Sequence, residues 1–154
     1  MSTYPPPPQS APVATGSASG PRAGFWQRFA SAFIDGIIVG IVATIVRVAL
    51  NSTAGVLISI AIGIAYYGYL EGSASGQTIG KRALGIRVYD YRRGGPIGVP
   101  RAIGRYFARI LSAIPCFLGY FWMLWDGEKQ CWHDKLVGDV VVPVSAYPVD
   151  SWPN

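Results

Sequence analysis

At 154 residues, 14% of them charged and 51% hydrophobic, the chain has room for one domain and carries far less charge than the roughly one quarter of a soluble protein, which argues for a membrane protein. Its formal net charge of +5 does not read as a nucleic-acid-binding face, because most basic residues fall in one block after the second apolar run. Cys116 and Cys131, with no CxxC spacing and a single histidine, are too few ligands for a zinc site, and their different expected depths leave no disulfide expected between them.

The chain opens on Pro5–Pro8 and a run of Ser, Ala, Gly and Thr with nothing to bury, so residues 1–24 are expected to be a disordered, Pro-rich cytoplasmic tail. The basic start and apolar core of a secretory signal are missing. Phe25 to Leu50 then exceeds the ~20 apolar residues that cross a bilayer, yet it carries Arg28 near its start and Asp35 within its apolar run. Arg47 is less puzzling, because its long stem reaches the interface. The turn at Asn51-Ser52-Thr53 forces an antiparallel partner, Ala54 to Leu70, an uncharged second span that closes with Tyr66, Tyr67 and Tyr69 at the level of Trp26. Small residues recur every four positions on both helices: Ala32, Gly36, Gly40 and Thr44 on the first, Gly55, Ser59 and Gly63 on the second. Lipid tails give helices no hydrophobic drive to associate, so such rows predict close backbone approach, and Gly36 and Gly40 are also the expected face for a homo-oligomer.

From Glu71 to Arg109 the chain is basic: Lys81, Arg82, Arg87, Arg92, Arg93, Arg101, Arg105 and Arg109 stand against Glu71 and Asp90. The positive-inside rule places this loop and the N-terminus in the cytoplasm, so the protein is expected to be multi-pass in a plasma (bacterial inner) membrane. Within the loop, residues 72–76 read as a flexible connector, Leu84 to Tyr89 as a strand and Arg93 to Pro96 as a turn. Arg101 to Ser112 predicts an amphipathic helix. Arg101, Arg105 and Arg109 share one side, Ile103, Tyr106, Phe107, Ile110 and Leu111 the other, and the arginines are expected beside anionic lipid headgroups or acidic side chains.

Ala102 to Trp125 is long enough to cross as a third span; broken at Pro115, it enters and returns. The tail leans toward the second alternative, since Val137 to Val144 is a second strand-like run whose natural partner is Leu84 to Tyr89, and strands pair only on one side of a membrane. The expected fold is thus all-α and membrane-embedded: a two-helix transmembrane hairpin, a third apolar segment that spans or re-enters, and a small cytoplasmic strand pair. The domain runs over 25–144 and a flexible tail over 145–154.

RFASAFID at Arg28 to Asp35, GQTIGKRALGIRV at Gly76 to Val88 and WHDKLVGDVVV at Trp132 to Val142 together resemble the RDD family of small integral membrane proteins. The family is named for an arginine and two aspartates; Arg28 and Asp35 match the first two, and Asp134 is identified with the third. One departure is Gly138-Asp139 where many members have Gly-Thr, which adds a carboxylate beside the motif. The resemblance implies a bacterial-type inner-membrane protein, for which transport is the usual suggestion, with no cofactor and no catalytic residue.

Seven residues put Arg28 and Asp35 on nearly one face but ~10 Å apart along the axis, too far for a direct bridge in a straight helix. Each needs another partner: Asp35 the Arg105/Arg109 stripe or Tyr66, Arg28 either Asp134 or a lipid phosphate. Asp35 then reads either as a hydrogen-bonded anchor or as a desolvated carboxylate that binds a proton or cation, with His133 beside Asp134 as a relay. Two functions follow: transport by an oligomer, or a non-transporting scaffold or accessory subunit that binds anionic lipid or a protein partner. An enzyme is not expected, since no Ser/His/Asp, HExxH or phosphate-loop pattern is present.

Overall fold

Twenty-six residues free of proline, apolar except at Gln27, Arg28, Asp35 and Arg47 and a few small polar positions, form α1 (Phe25–Leu50). The helix stops at Asn51, whose φ of 38° and ψ of 47° are left-handed, a conformation that asparagine tolerates. Ser52 then starts α2 (Thr53–Gly72). The computed structural model describes residues 20–115 and 118–149; the Pro5–Pro8 tail, Cys116 and the end of the C-terminal tail lie outside the described residues.

The hairpin closes through a different stripe of α1 from the one its small residues predict. Ser59 donates to the Ala43 carbonyl at 3.2 Å, and Gly55 backs onto Arg47 and Leu50. Gly36 and Gly40 are exposed, with nothing within 4 Å of where a Cβ would stand. The inward stripe runs through Ser31, Asp35 and Ala43, one position or about 100° before the Ala32/Gly36/Gly40 row. The buried residues of α1 are Ser31 and Asp35, so polar partners set its rotation. The row on α2 is shared between neighbours: Gly55 and Ser59 meet α1, whereas a Cβ at Gly63 would stand 2.8 Å from the Tyr106 hydroxyl.

The connector after α2 is tied down. Ser73, Ser75 and Gly76 are buried, and the Gly76 carbonyl accepts from Val88 N at 2.8 Å. Thr78 caps α3 (Ile79–Ala83), its hydroxyl accepting from Lys81 N at 3.3 Å. β1 (Ile86–Asp90) and β2 (Asp139–Pro143) pair antiparallel, with Val88 opposite Val141. Alternation gives this ribbon two faces. Ile86, Val88 and Val141 pack with Ala23, Ile97 and Ala102, and Val140 and Val142 pack with Tyr89, Tyr91 and Tyr147. Ala23 N donates to the Val141 carbonyl at 2.9 Å, so the start of α1 is stitched to the last strand.

Between the strands run α4 (Val99–Ala113), α5 (Leu118–Phe121), a 3₁₀ turn at Trp122–Leu124 and α6 (Trp132–Val137). α4 and the Leu118–Leu124 segment meet at 109° beyond Pro115. A segment that crossed a bilayer would put its ends on opposite sides, yet β1 before it and β2 after it are hydrogen-bonded. Val99–Leu124 is therefore a bent segment rather than a straight third span. Burial is inverted relative to a soluble protein: Phe33, Ile41, Ile45, Leu57, Ile110 and Leu111 face outward while Asp35, Glu71, Arg105, Asp134 and Asp139 are buried. With two helices of spanning length and hydropathy, that inversion defines a membrane protein.

Candidate functional site

The arginine side of α4 turns inward, toward acids rather than lipid. Arg105 has 1% of its surface exposed; its Nη2 pairs with Asp134, its Nη1 lies 3.1 Å from Asp139 Oδ1 and its Nε 3.8 Å from Glu71 Oε2. Arg28 of α1 pairs with the other oxygen of Asp134, and donates to the Lys129 carbonyl at 2.9 Å and Cys131 Sγ at 3.4 Å. Glu71, the last charge of α2, accepts from Lys81 Nζ at 2.6 Å and pairs with Arg109. Arg109 also lies over the Tyr67 ring at 4.5 Å. One network thus joins α1, α2, α3, α4, α6 and the first residue of β2. In so dry a place each charge survives because others satisfy it.

The two aspartates beside Arg105 settle differently. Burial disfavours the Asp134 carboxylate, but the Arg28 and Arg105 guanidiniums outweigh it and hold the group well below the usual carboxylate range. Asp134 also accepts from Cys131 N at 2.9 Å, closing the first turn of α6. Burial pushes Asp139 well above that range; Arg105 opposes the rise, and the Asp134 and Glu71 charges add to it. The two carboxyls thus shift in opposite directions beside one arginine. Burial likewise pulls His133 well below its ordinary 6.5, despite Asp134 Oδ1 at 3.4 Å; its Nδ1 lies 3.1 Å from the Ser112 hydroxyl. The ring stays neutral.

Asp35 stands apart from the arginines. Its Oδ1 accepts from the Tyr66 hydroxyl at 2.7 Å and Gly80 N at 2.8 Å, and its Oδ2 from the Thr78 hydroxyl at 2.6 Å. It holds the first turn of α3 against α1. Gly80 is required there, since a Cβ would lie 2.2 Å from the Ser31 carbonyl.

Of the two partners expected for Asp35, Tyr66 is present and the Arg105/Arg109 stripe is not. Arg28 finds Asp134, and His133 and Asp134 lie beside Arg105. Glu71, Lys81, Thr78 and Gly80 were not anticipated, and Asp139 only as an added carboxylate. The signal for Glu71 was its place: the first charge after an uncharged span, with a lysine ten positions on. Cys131, which has a free thiol, His133 and Asp134 each bring a ligand atom within 4.8 Å of the others. Arg28 and Arg105 already take both Asp134 oxygens, and burial pushes the Cys131 thiol up to about 12, so the trio suits a guanidinium rather than a metal ion.

An apolar-surfaced helical hairpin packed on an ionic network, with a bent apolar segment beside it, is a small integral membrane protein. The RDD family model matches residues 22–138, and the chain belongs to the RDD family. It is 38% identical over 92 residues to the proline-rich antigen homolog of Mycobacterium tuberculosis, covering 57% of this chain and 38% of that protein. The uncharacterized protein YxaI of Bacillus subtilis is 41% identical over 87 residues, covering 56% of each. The match to the proline-rich antigen of Mycobacterium leprae is 35% over 78 residues, covering 51% of this chain and 31% of that protein. The chain therefore spans from 31% to 56% of the length of these curated relatives. No solved structure matches it.

Proposed function

We infer that the chain is a membrane-embedded scaffold or accessory subunit that neither transports nor catalyses, placed in a bacterial plasma membrane with its sheet end in the cytoplasm. The observation that carries this reading is Asp35: three donors on Tyr66, Thr78 and Gly80 take up both its oxygens, which makes it an anchor between α1 and α3 rather than a carboxylate waiting for a cargo ion. Lys81, Arg82, Arg92 and Arg93 near the sheet end support the orientation through the positive-inside rule, and the bacterial relatives support the compartment. The exposed Gly36 and Gly40 leave a face for a second copy.

A competing reading, proton or cation exchange by an oligomer, is favoured by Asp139, a buried carboxyl with neither oxygen hydrogen-bonded. Flux separates the two. The purified chain is reconstituted in liposomes holding a pH-sensitive dye, and sodium or potassium gradients are imposed on the wild type, Asp35→Asn and Asp139→Asn. The scaffold reading expects no cation-dependent proton movement from any of the three and a lower melting temperature for Asp35→Asn. Flux from the wild type that either substitution abolishes would overturn it.

A further inference from the structure

α1 and α4 both pack on α2, and between them lies a pocket of about 570 Å³, within the ~300–1,000 Å³ of ordinary ligand sites. Its charged lining is lopsided. Arg28, Lys81, Arg105 and Arg109 line it against a single carboxylate, Asp35, which is already hydrogen-bonded three times. The acids that balance these cations, Glu71, Asp134 and Asp139, are not among the lining residues. Arg105, 1% exposed, turns Nη1 and Nε toward Asp139 and Glu71 at 3.1 and 3.8 Å but forms a hydrogen bond to neither, so its hydrogen-bonding capacity is only partly used. A buried guanidinium in that state attracts an oxyanion.

The remaining walls name the kind of molecule that carries the anion. Phe25, Phe29 and Phe33 of α1 and Phe121 of α5 line the same pocket, and Phe29 and Phe33 are 55% and 62% exposed on the outward side of a spanning helix. Phe25 stacks on Phe121 with ring centroids 5.8 Å apart, closing the cleft near the headgroup level marked by Trp26. From Phe25 to Phe33 the wall runs ~12 Å into the hydrocarbon layer. A free anion would have to pass aromatic rings and acyl chains, whereas a lipid of the same leaflet already has its phosphate at this depth and its tails outside.

We propose that this lateral pocket binds one anionic phospholipid, its phosphate among Lys81, Arg105 and Arg109 with Arg28 at the edge, and an acyl chain lying along Phe29 and Phe33. The lipid is then part of the scaffold: it fills the gap between α1 and α4 and adds a counter-charge to a network that is cationic toward the pocket. This deepens the scaffold reading at the same site and rests on it. The two fail separately, since dye flux would sink the scaffold without touching lipid retention.

The test uses the full chain in nanodiscs of equal phosphatidylglycerol and phosphatidylcholine, released into mild detergent and weighed by native mass spectrometry. One retained phosphatidylglycerol is expected, enriched roughly tenfold over phosphatidylcholine, whose phosphate is the same but whose choline cation the four cationic side chains repel. Ala32→Trp fills the pocket from a lining position outside the ionic network and is expected to return retention to parity with an unchanged melting temperature. Equal retention of the two lipids by the wild type, or enrichment that Ala32→Trp leaves intact, overturns the site. Stabilisation of the delipidated chain by inorganic phosphate as strong as by the lipid also overturns it, in favour of a free anion. Should Ala32→Trp not fold, a photoreactive phosphatidylglycerol decides on the wild type: adducts at Phe29, Phe33 and Phe121 support the pocket, and adducts confined to distant faces such as Val48 or Leu57 refute it.

Discussion

Arg28 and Asp134 are 106 positions apart in the chain and share an ion pair in which the carboxylate is wholly buried. The pair binds the first helix to the last, and Asp134 serves Arg105 as well. Asp134→Asn leaves two guanidiniums short of a counter-charge and is expected to cost about 3–5 kcal/mol. Arg28→Gln combined with Asp134→Asn is expected to cost less than the two separate losses together, by about 0.5–3 kcal/mol. Reversible unfolding in mixed micelles, followed by tryptophan fluorescence, measures both; strict additivity would mean that the two residues do not act on each other.

Opposite pH slopes are expected from His133 and Asp139. Unfolding lets His133 take up a proton below about 6.5, so its stabilising effect is present above that pH and lost as pH falls. Asp139 is raised, so its contribution is full below about 4 and lost as pH rises toward its folded value. Between pH ~4.5 and ~6.5 the slopes oppose each other, each up to about 1.4 kcal/mol per pH unit. His133→Gln is expected to gain stability on acidification across this window and Asp139→Asn to lose it, with the wild type between them. Three parallel stability curves would contradict the opposite shifts of the two groups.

Gly80→Ala is expected to loosen α3 from α1. The added methyl overlaps the Ser31 carbonyl and lies 2.9 Å from the Asp35 carboxyl, so the cost is about 1–3 kcal/mol or more, with faster hydrogen exchange at Gly80 and Arg82. Gly36→Ala is the control. Nothing in the chain lies within 4 Å of its new methyl group, and hydrogen exchange at Gly80 and Arg82 is expected to match the wild type.

The topology predicts opposite labelling of two exposed positions. With Cys116→Ser and Cys131→Ser as background, Asn51→Cys is expected to react with an impermeant maleimide on intact cells, and Ser145→Cys only after permeabilisation. Equal external labelling of both would break the strand pairing of Ile86–Asp90 with Asp139–Pro143 as well as the orientation.

Elements whose cues are local were legible in the sequence. An apolar run of spanning length needs no partner to be recognised, and both strands were placed within a few residues because valine and isoleucine bounded by turn residues read the same in any context. Rotation was another matter. The glycine spacing of α1 pointed to Gly36 and Gly40, but the need of Asp35 for donors on Tyr66, Thr78 and Gly80 decided which side turned inward. Two of those donors lie in a segment more than 40 residues away, and the third, Tyr66, is 31 away. The ionic network was half visible, since Arg28, Arg105, Arg109, His133 and Asp134 stood out as polar residues near apolar runs. Glu71 and Lys81 did not, because each sits where a charge normally meets water.

The pairing of the first helix with the last strand also orders the birth of the protein. Synthesis delivers Arg28 first and Arg105 well before Asp134 and Asp139, and Ala23 finds the Val141 carbonyl only when the final strand leaves the ribosome. Until then the two spanning helices lie in the bilayer with unmatched guanidiniums, and a chain cut short before Asp134 stays in that state. The network therefore closes only once α6 and β2 have joined the helices made before them.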